Sequence, residues 1–204
     1  MKLLLSSFGP SPAHDAALAG LVGKPLDEIR VGYIENAYDV YDDETSLVEG
    51  RETLQKTGYV FELVDLRDWR ADRAGLRALL ERFDVFLLTG GNPYYLRSLM
   101  KLTGADEIIT DLVGRGAVYA GASAAAVVAG PTLRHFDELD DPAEAEELVM
   151  DGLGLTRTVV APHVDNPEFG EGCRKAGDLC DGFTVQRVTD AQALVIDGDQ
   201  QHIV

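Results

Sequence analysis

Cationic side chains are scarce in this sequence: 18 Lys and Arg stand against 35 Asp and Glu, a net charge of −17 at neutral pH. Nucleic acids are bound largely through Lys and Arg that neutralise phosphates, so a surface of this sign excludes them as partners. The acidic residues are spread along the chain, which reads as a solvated surface and not as an interaction tail. Cysteine is almost missing as well. Cys173 and Cys180 are the only two, with six residues between them on an expected helix, and they suit neither a disulfide framework nor a zinc site. Long apolar runs are absent: nothing approaches the ~20 residues of a membrane span, and Leu3 to Leu5 is too short for the apolar core of a signal peptide. A cytoplasmic protein that engages no membrane is expected. Repeats, low-complexity tracts and linkers are also lacking, so residues 1–204 are read as one domain.

What the chain does have is an ordinary globular composition, 46% apolar and 26% charged, enough to bury one substantial core. Short runs rich in β-branched and aromatic residues alternate with longer helical segments, a pattern that implies parallel strands joined by crossover helices. Strands are predicted at 2–6, 29–34, 59–64, 85–89, 117–120 and 158–161, and helices near 13–22, 43–57, 73–83, 93–102 and 105–115. The run Phe83-Asp84-Val85-Phe86-Leu87-Leu88 suits a central strand covered on both faces. At the end, Asp197-Gly198-Asp199-Gln200 between apolar runs signals an antiparallel hairpin. The expected fold is α/β, a doubly wound and mostly parallel sheet with helices on both faces and a C-terminal antiparallel hairpin.

Three stretches carry chemistry. In Ala117-Val118-Tyr119-Ala120-Gly121-Ala122-Ser123-Ala124-Ala125-Ala126, a strand runs into a helix through small residues. A nucleophile elbow needs such residues, because a strained turn lifts the hydroxyl to the carboxyl edge of the sheet and only small neighbours tolerate the approach. Ser123 is the candidate nucleophile, although small residues would equally allow tight helix-on-strand packing. The Thr89-Gly90-Gly91-Asn92-Pro93 crossing can sit on the same edge and offer backbone amides. In Ala161-Pro162-His163, a histidine follows a buried-looking strand, again at a carboxyl end. A serine hydroxyl is a poor nucleophile until an imidazole takes its proton, and that imidazole needs an acid to fix its tautomer. His163 fits this task better than His14, His135 or His202, which fall in polar segments or near the chain end.

With these motifs in this order, and with Gly130-Pro131-Thr132-Leu133-Arg134 after the elbow, the chain resembles the dipeptidase E (aspartyl dipeptidase) family of serine peptidases. That family shares its architecture with class I glutamine amidotransferase domains and counts cyanophycinases among its relatives. The resemblance implies a peptidase acting through Ser123 and His163, with an oxyanion hole from the Gly91 and Ala124 amides and no cofactor. It places the triad acid in the loop after the elbow helix, at Glu138, with Asp137, Asp140 and Asp141 close by. Family elbows usually carry Gly where this chain has Ala125, which bears on pocket width or on packing of the elbow helix.

The implied substrate is a small peptide, a dipeptide with N-terminal aspartate, whose carboxylate needs a cation; Arg suits this through its bidentate geometry. Arg174 and Asn92 are the substrate-binding candidates, with Lys175, Arg134 and Arg157 behind Arg174. A cyanophycinase-like isopeptide hydrolase and a silent small-ligand-binding homologue are the competing readings, and monomer and homodimer both stay open. A glutamine amidotransferase is disfavoured because its elbow nucleophile is Cys, and an ordinary α/β-hydrolase by the missing second elbow glycine. No His, Cys and Asp cluster has metal-ligand spacing. Hydrolysis should therefore survive EDTA unchanged, and activity lost to the chelator and restored by zinc would contradict this.

Overall fold

The computed structural model describes all 204 residues. Its centre is a seven-stranded sheet built from β1 (Lys2–Ser6), β2 (Arg30–Ile34), β3 (Val60–Leu63), β4 (Val85–Leu88), β5 (Val118–Ala122), β8 (Ala193–Asp197) and β9 (Gln200–Ile203), in the order β3-β2-β4-β5-β1-β8-β9. The first five strands are mutually parallel, whereas β8 runs antiparallel to β1 and β9 antiparallel to β8. Gly198, at φ +59, turns the terminal hairpin, a conformation that glycine adopts without steric cost.

Seven α-helices connect the strands: α1 (Pro12–Val22), α2 (Thr45–Thr57), α3 (Arg73–Leu80), α4 (Pro93–Thr103), α5 (Ala105–Gly114), α6 (Ala124–Ala129) and α7 (Gly170–Leu179). Local chemistry sets their ends. Ser11 caps α1 through its side chain, with Pro12 in the first turn and Gly23 in the left-handed conformation after the last.

Strand periodicity divides the interior in two. Along β1, Leu3 and Leu5 enter one core while Leu4 enters the other; along β4, Phe86 and Leu88 enter the first and Val85 the second. Helices α3, α4, α5 and α6 contribute to the larger core, and α1 and α2 cover the smaller one. Burial on both faces explains why the central strands read as continuous apolar runs.

One strand lies elsewhere than in the main sheet. β6 (Thr158–Ala161) forms where its sequence predicts, yet it pairs only with β7 (Thr184–Arg187), as a separate two-stranded parallel sheet. β7 carries no strand signal in the sequence because its four residues are partly or fully exposed and three of them are polar. This ribbon lies behind α7, and its two carboxyl ends emerge side by side, with Ala161 in register with Arg187.

Candidate active site

Ser123 sits between β5 and α6 with φ +50 and ψ −113, a backbone conformation that a residue with a side chain adopts only when its surroundings impose it. Its amide donates to the Ser6 carbonyl at 2.9 Å, which ties the elbow to the neighbouring strand. The small residues around it are there for space. A Cβ on Gly121 would lie 2.8 Å from the Ala125 backbone, and one on Gly90 would lie 3.0 Å from the Ser123 Cβ. Ala125 is fully buried in the larger core and does not line the cavity described below, so its methyl group leaves that cavity's width alone.

His163 follows β6 and is itself held at φ +57. Its amide donates to Ser7 Oγ at 2.9 Å, and its buried ring lies edge-on to Phe8, with ring centres 4.9 Å apart. Nε2 lies 2.9 Å from Ser123 Oγ. Nδ1 lies 2.6 Å from Asp190 Oδ1. That pair fixes the tautomer: with Nδ1 protonated and donating to the carboxylate, Nε2 is free to accept the serine proton. Asp190 is in turn oriented by Asn166 Nδ2, which donates to Oδ2 at 2.7 Å, and by Asp165, whose carboxylate accepts the Asp190 amide at 2.8 Å.

The carboxylate at His163 is thus Asp190, not Glu138. Glu138 is exposed and paired with Lys175. The reason is topological: parallel pairing of β6 with β7 brings Asp190 to the imidazole from 27 residues away, whereas the loop after the elbow helix turns Glu138 to the surface. A Thr-Asp pair shortly after a short β-branched run was the available signal, and the run's polarity hid it.

Gly91 and Ala124, the two expected amide donors, follow the neighbouring strands β4 and β5. Gly91 has φ +132, and a Cβ there would lie 2.2 Å from the Ala37 carbonyl oxygen, so only glycine fits. Its amide makes no internal hydrogen bond. Ala124 opens α6, where the first amides have no intrahelical acceptor. Gly91, Ala124, Ser123 and His163 all border one cavity of about 400 Å³.

Asn92 and Arg174 do not border it. Asn92 is buried and spent on structure: Oδ1 accepts the Tyr94 and Tyr95 amides as the cap of α4, and Nδ2 donates to the Asp141 carbonyl. Arg174 is exposed and donates to the Val164 carbonyl. No Lys or Arg lines the cavity; its walls include Tyr41, Phe136, Leu139, Phe169 and Cys173, and its acidic members are Asp140 and Glu168. Burial pushes the Cys173 thiol up to about 12, with the carboxylates of Asp140 and Asp190 adding to the effect, so it stays a neutral wall group. No group of three or more His, Cys, Asp and Glu side chains is arranged to hold a metal ion, and no helix is long and apolar enough to cross a membrane.

A doubly wound sheet with a serine on a strand-to-helix elbow, facing a histidine at the carboxyl edge, defines the class: an α/β protein built like the serine enzymes that carry their nucleophile on such a turn. The chain belongs to peptidase family S51, whose model matches residues 3–204. It is 28% identical to an uncharacterized peptidase of Listeria innocua over 168 residues, 81% of this chain and 79% of the relative. It is 34% identical to peptidase E of Escherichia coli over 99 residues, 47% of this chain and 41% of that one. Among solved structures, a candidate peptidase E from Listeria monocytogenes superposes with a TM-score of 0.84 at 24% identity, covering 100% of this chain and 97% of the other. A peptidase from an acI-B1 actinobacterium gives 0.73 at 20% identity, with 100% and 86% covered. These two likenesses establish the fold.

Burial drives the Asp140 carboxyl up to about 6, partly offset by the Tyr41 hydroxyl that donates to Oδ1 at 3.0 Å. An acid whose folded pKa lies above its unfolded one costs stability once the pH exceeds both. Its charge should therefore weaken the fold progressively between about pH 4 and pH 6, by about 3 kcal/mol. Asp140→Asn should match the parent in thermal melts at pH 4 and exceed it at pH 7. An equal offset at both pH values would show that the charge is not the cause.

Proposed function

We propose that the protein is a serine peptidase hydrolysing short peptides through Ser123, His163 and Asp190. The observation that carries this reading is the 2.9 Å approach of Ser123 Oγ to His163 Nε2, backed by Asp190 on the other ring nitrogen. Ser123 Oγ attacks the scissile carbonyl carbon while its proton passes to Nε2. The carbonyl oxygen takes up negative charge beside the Gly91 and Ala124 amides, which offer donors where that charge develops. Collapse of the tetrahedral species breaks the C–N bond, and the imidazolium returns its proton to the leaving amine. Water then repeats the sequence on the acyl-serine and releases the acid, with His163 again taking and returning the proton. Asp190 stays ionised throughout and stabilises the imidazolium. A cavity of about 400 Å³ suits a short peptide better than a folded chain. Cleavage after an N-terminal aspartate rests on the family resemblance alone, since the cavity offers no Lys or Arg to receive that carboxylate.

Hydrolysis by the Ser123→Ala variant should fall by roughly 10³ to 10⁶ in kcat without loss of thermal stability, and His163→Ala should fall comparably. Residues that act as one unit are non-additive, so the double variant should be little worse than either single one. Additive losses, or full activity in a folded Ser123→Ala protein, would contradict the mechanism.

A further inference from the structure

The cavity beside Ser123 contains an unspent anion. Glu138 pairs with Lys175, Asp39 with Asn36 and Tyr95, and Asp190 with His163 and Asn166, while Glu168, the other carboxylate on the cavity wall, is exposed to water. Asp140 differs. Its one hydrogen bond comes from the Tyr41 hydroxyl to Oδ1, it forms no ion pair, and Oδ2 has no partner. It stands among Phe136, Leu139 and Phe169, walls that strip water from a charge without replacing it. Burial raises its carboxyl, and no cation in the fold opposes that pull.

We propose that Asp140 is the specificity-determining residue of this site, receiving an ammonium group of the peptide, so that the preferred substrates are cationic or neutral at their N-terminal residue rather than acidic. This rests on the serine peptidase reading above. The chemistry is complementary: an ammonium offers three N–H donors to a carboxylate with vacant lone pairs, and a charge-assisted bond formed away from water is among the stronger ones available. A substrate aspartate in the same cavity would instead bring a second carboxylate beside Asp140 and Glu168, with no Lys or Arg to compensate. The ammonium has two sources, the peptide's own α-amine or a lysine side chain, and they are separable by experiment.

The test measures hydrolysis of the p-nitroanilides of Leu, Lys and Asp, and of N-acetyl-Leu and N-acetyl-Lys, by the parent protein and by Asp140→Asn and Asp140→Glu. The parent should cleave Leu or Lys better than Asp. Loss of rate on acetylation of both identifies the α-ammonium, whereas retention by N-acetyl-Lys over N-acetyl-Leu identifies the side chain. Asp140→Asn should lower kcat/KM for the ammonium substrates by about 30-fold or more, chiefly through KM. The preference for each ammonium substrate over its acetylated counterpart should shrink in Asp140→Asn, and Asp140→Glu should recover part of that preference. Equal losses with and without the ammonium, or a parent preference for Asp indifferent to Asp140→Asn, would overturn the proposal. Fluorophosphonate labelling of Ser123 keeps the two readings apart: a variant that still labels but shows no ammonium dependence sinks the Asp140 assignment alone, and a parent that neither labels nor hydrolyses sinks the peptidase reading and this one with it.

Discussion

The site depends on the backbone of Ser123 being held where a serine would not settle by itself. Left-handed φ at a non-glycine residue costs on the order of 1–3 kcal/mol and persists only when the surroundings over-determine it. Here they do: the Ser123 amide is bonded to Ser6 on β1, β5 is locked between β4 and β1, and α6 starts at once and buries Ala125 to Ala129 in the larger core. The elbow is strained because the sheet and the helix are not, and the strain lifts the hydroxyl toward His163.

Every other group of the site reaches the same place by the same rule. Gly91 follows β4, Ser7 follows β1, His163 follows β6 and Asp190 follows β7, so the functional groups gather beyond the carboxyl ends of parallel strands. The β6–β7 ribbon adds something the main sheet does not provide. By pairing outside that sheet it carries His163 and Asp190 as one unit, and Ser7 bridges the unit to the main sheet by accepting the His163 amide and donating to the Val188 carbonyl.

This division explains how much of the molecule could be read from its sequence. Strands β1, β4 and β5 are apolar on both faces and were legible to within two residues, as was the terminal hairpin from its Asp-Gly turn. Ser123, His163 and Gly91 were legible because each needs an unusual local sequence: small residues around a strained turn, a histidine after a buried strand, a glycine where a Cβ would strike Ala37. The acid was not legible. A carboxylate needs no special neighbours in sequence, and what brings Asp190 to His163 is the pairing of a short, partly polar strand with β6. Arg174 and Asn92 were misplaced for a related reason: an arginine on a helix near the site and an asparagine in a glycine loop are also ordinary surface and capping residues, and here they are only that.

The central claim is that Ser123 is activated by His163 with Asp190 behind it, and the rate of its covalent capture tests this most directly. The second-order rate constant for modification by a fluorophosphonate, with the modified peptide located by mass, should place the label on Ser123. The rate should fall by at least about 100-fold in Asp190→Asn and stay at the parent value in Glu138→Gln. A label on another residue, or a rate that falls with Glu138 and not with Asp190, would contradict the account.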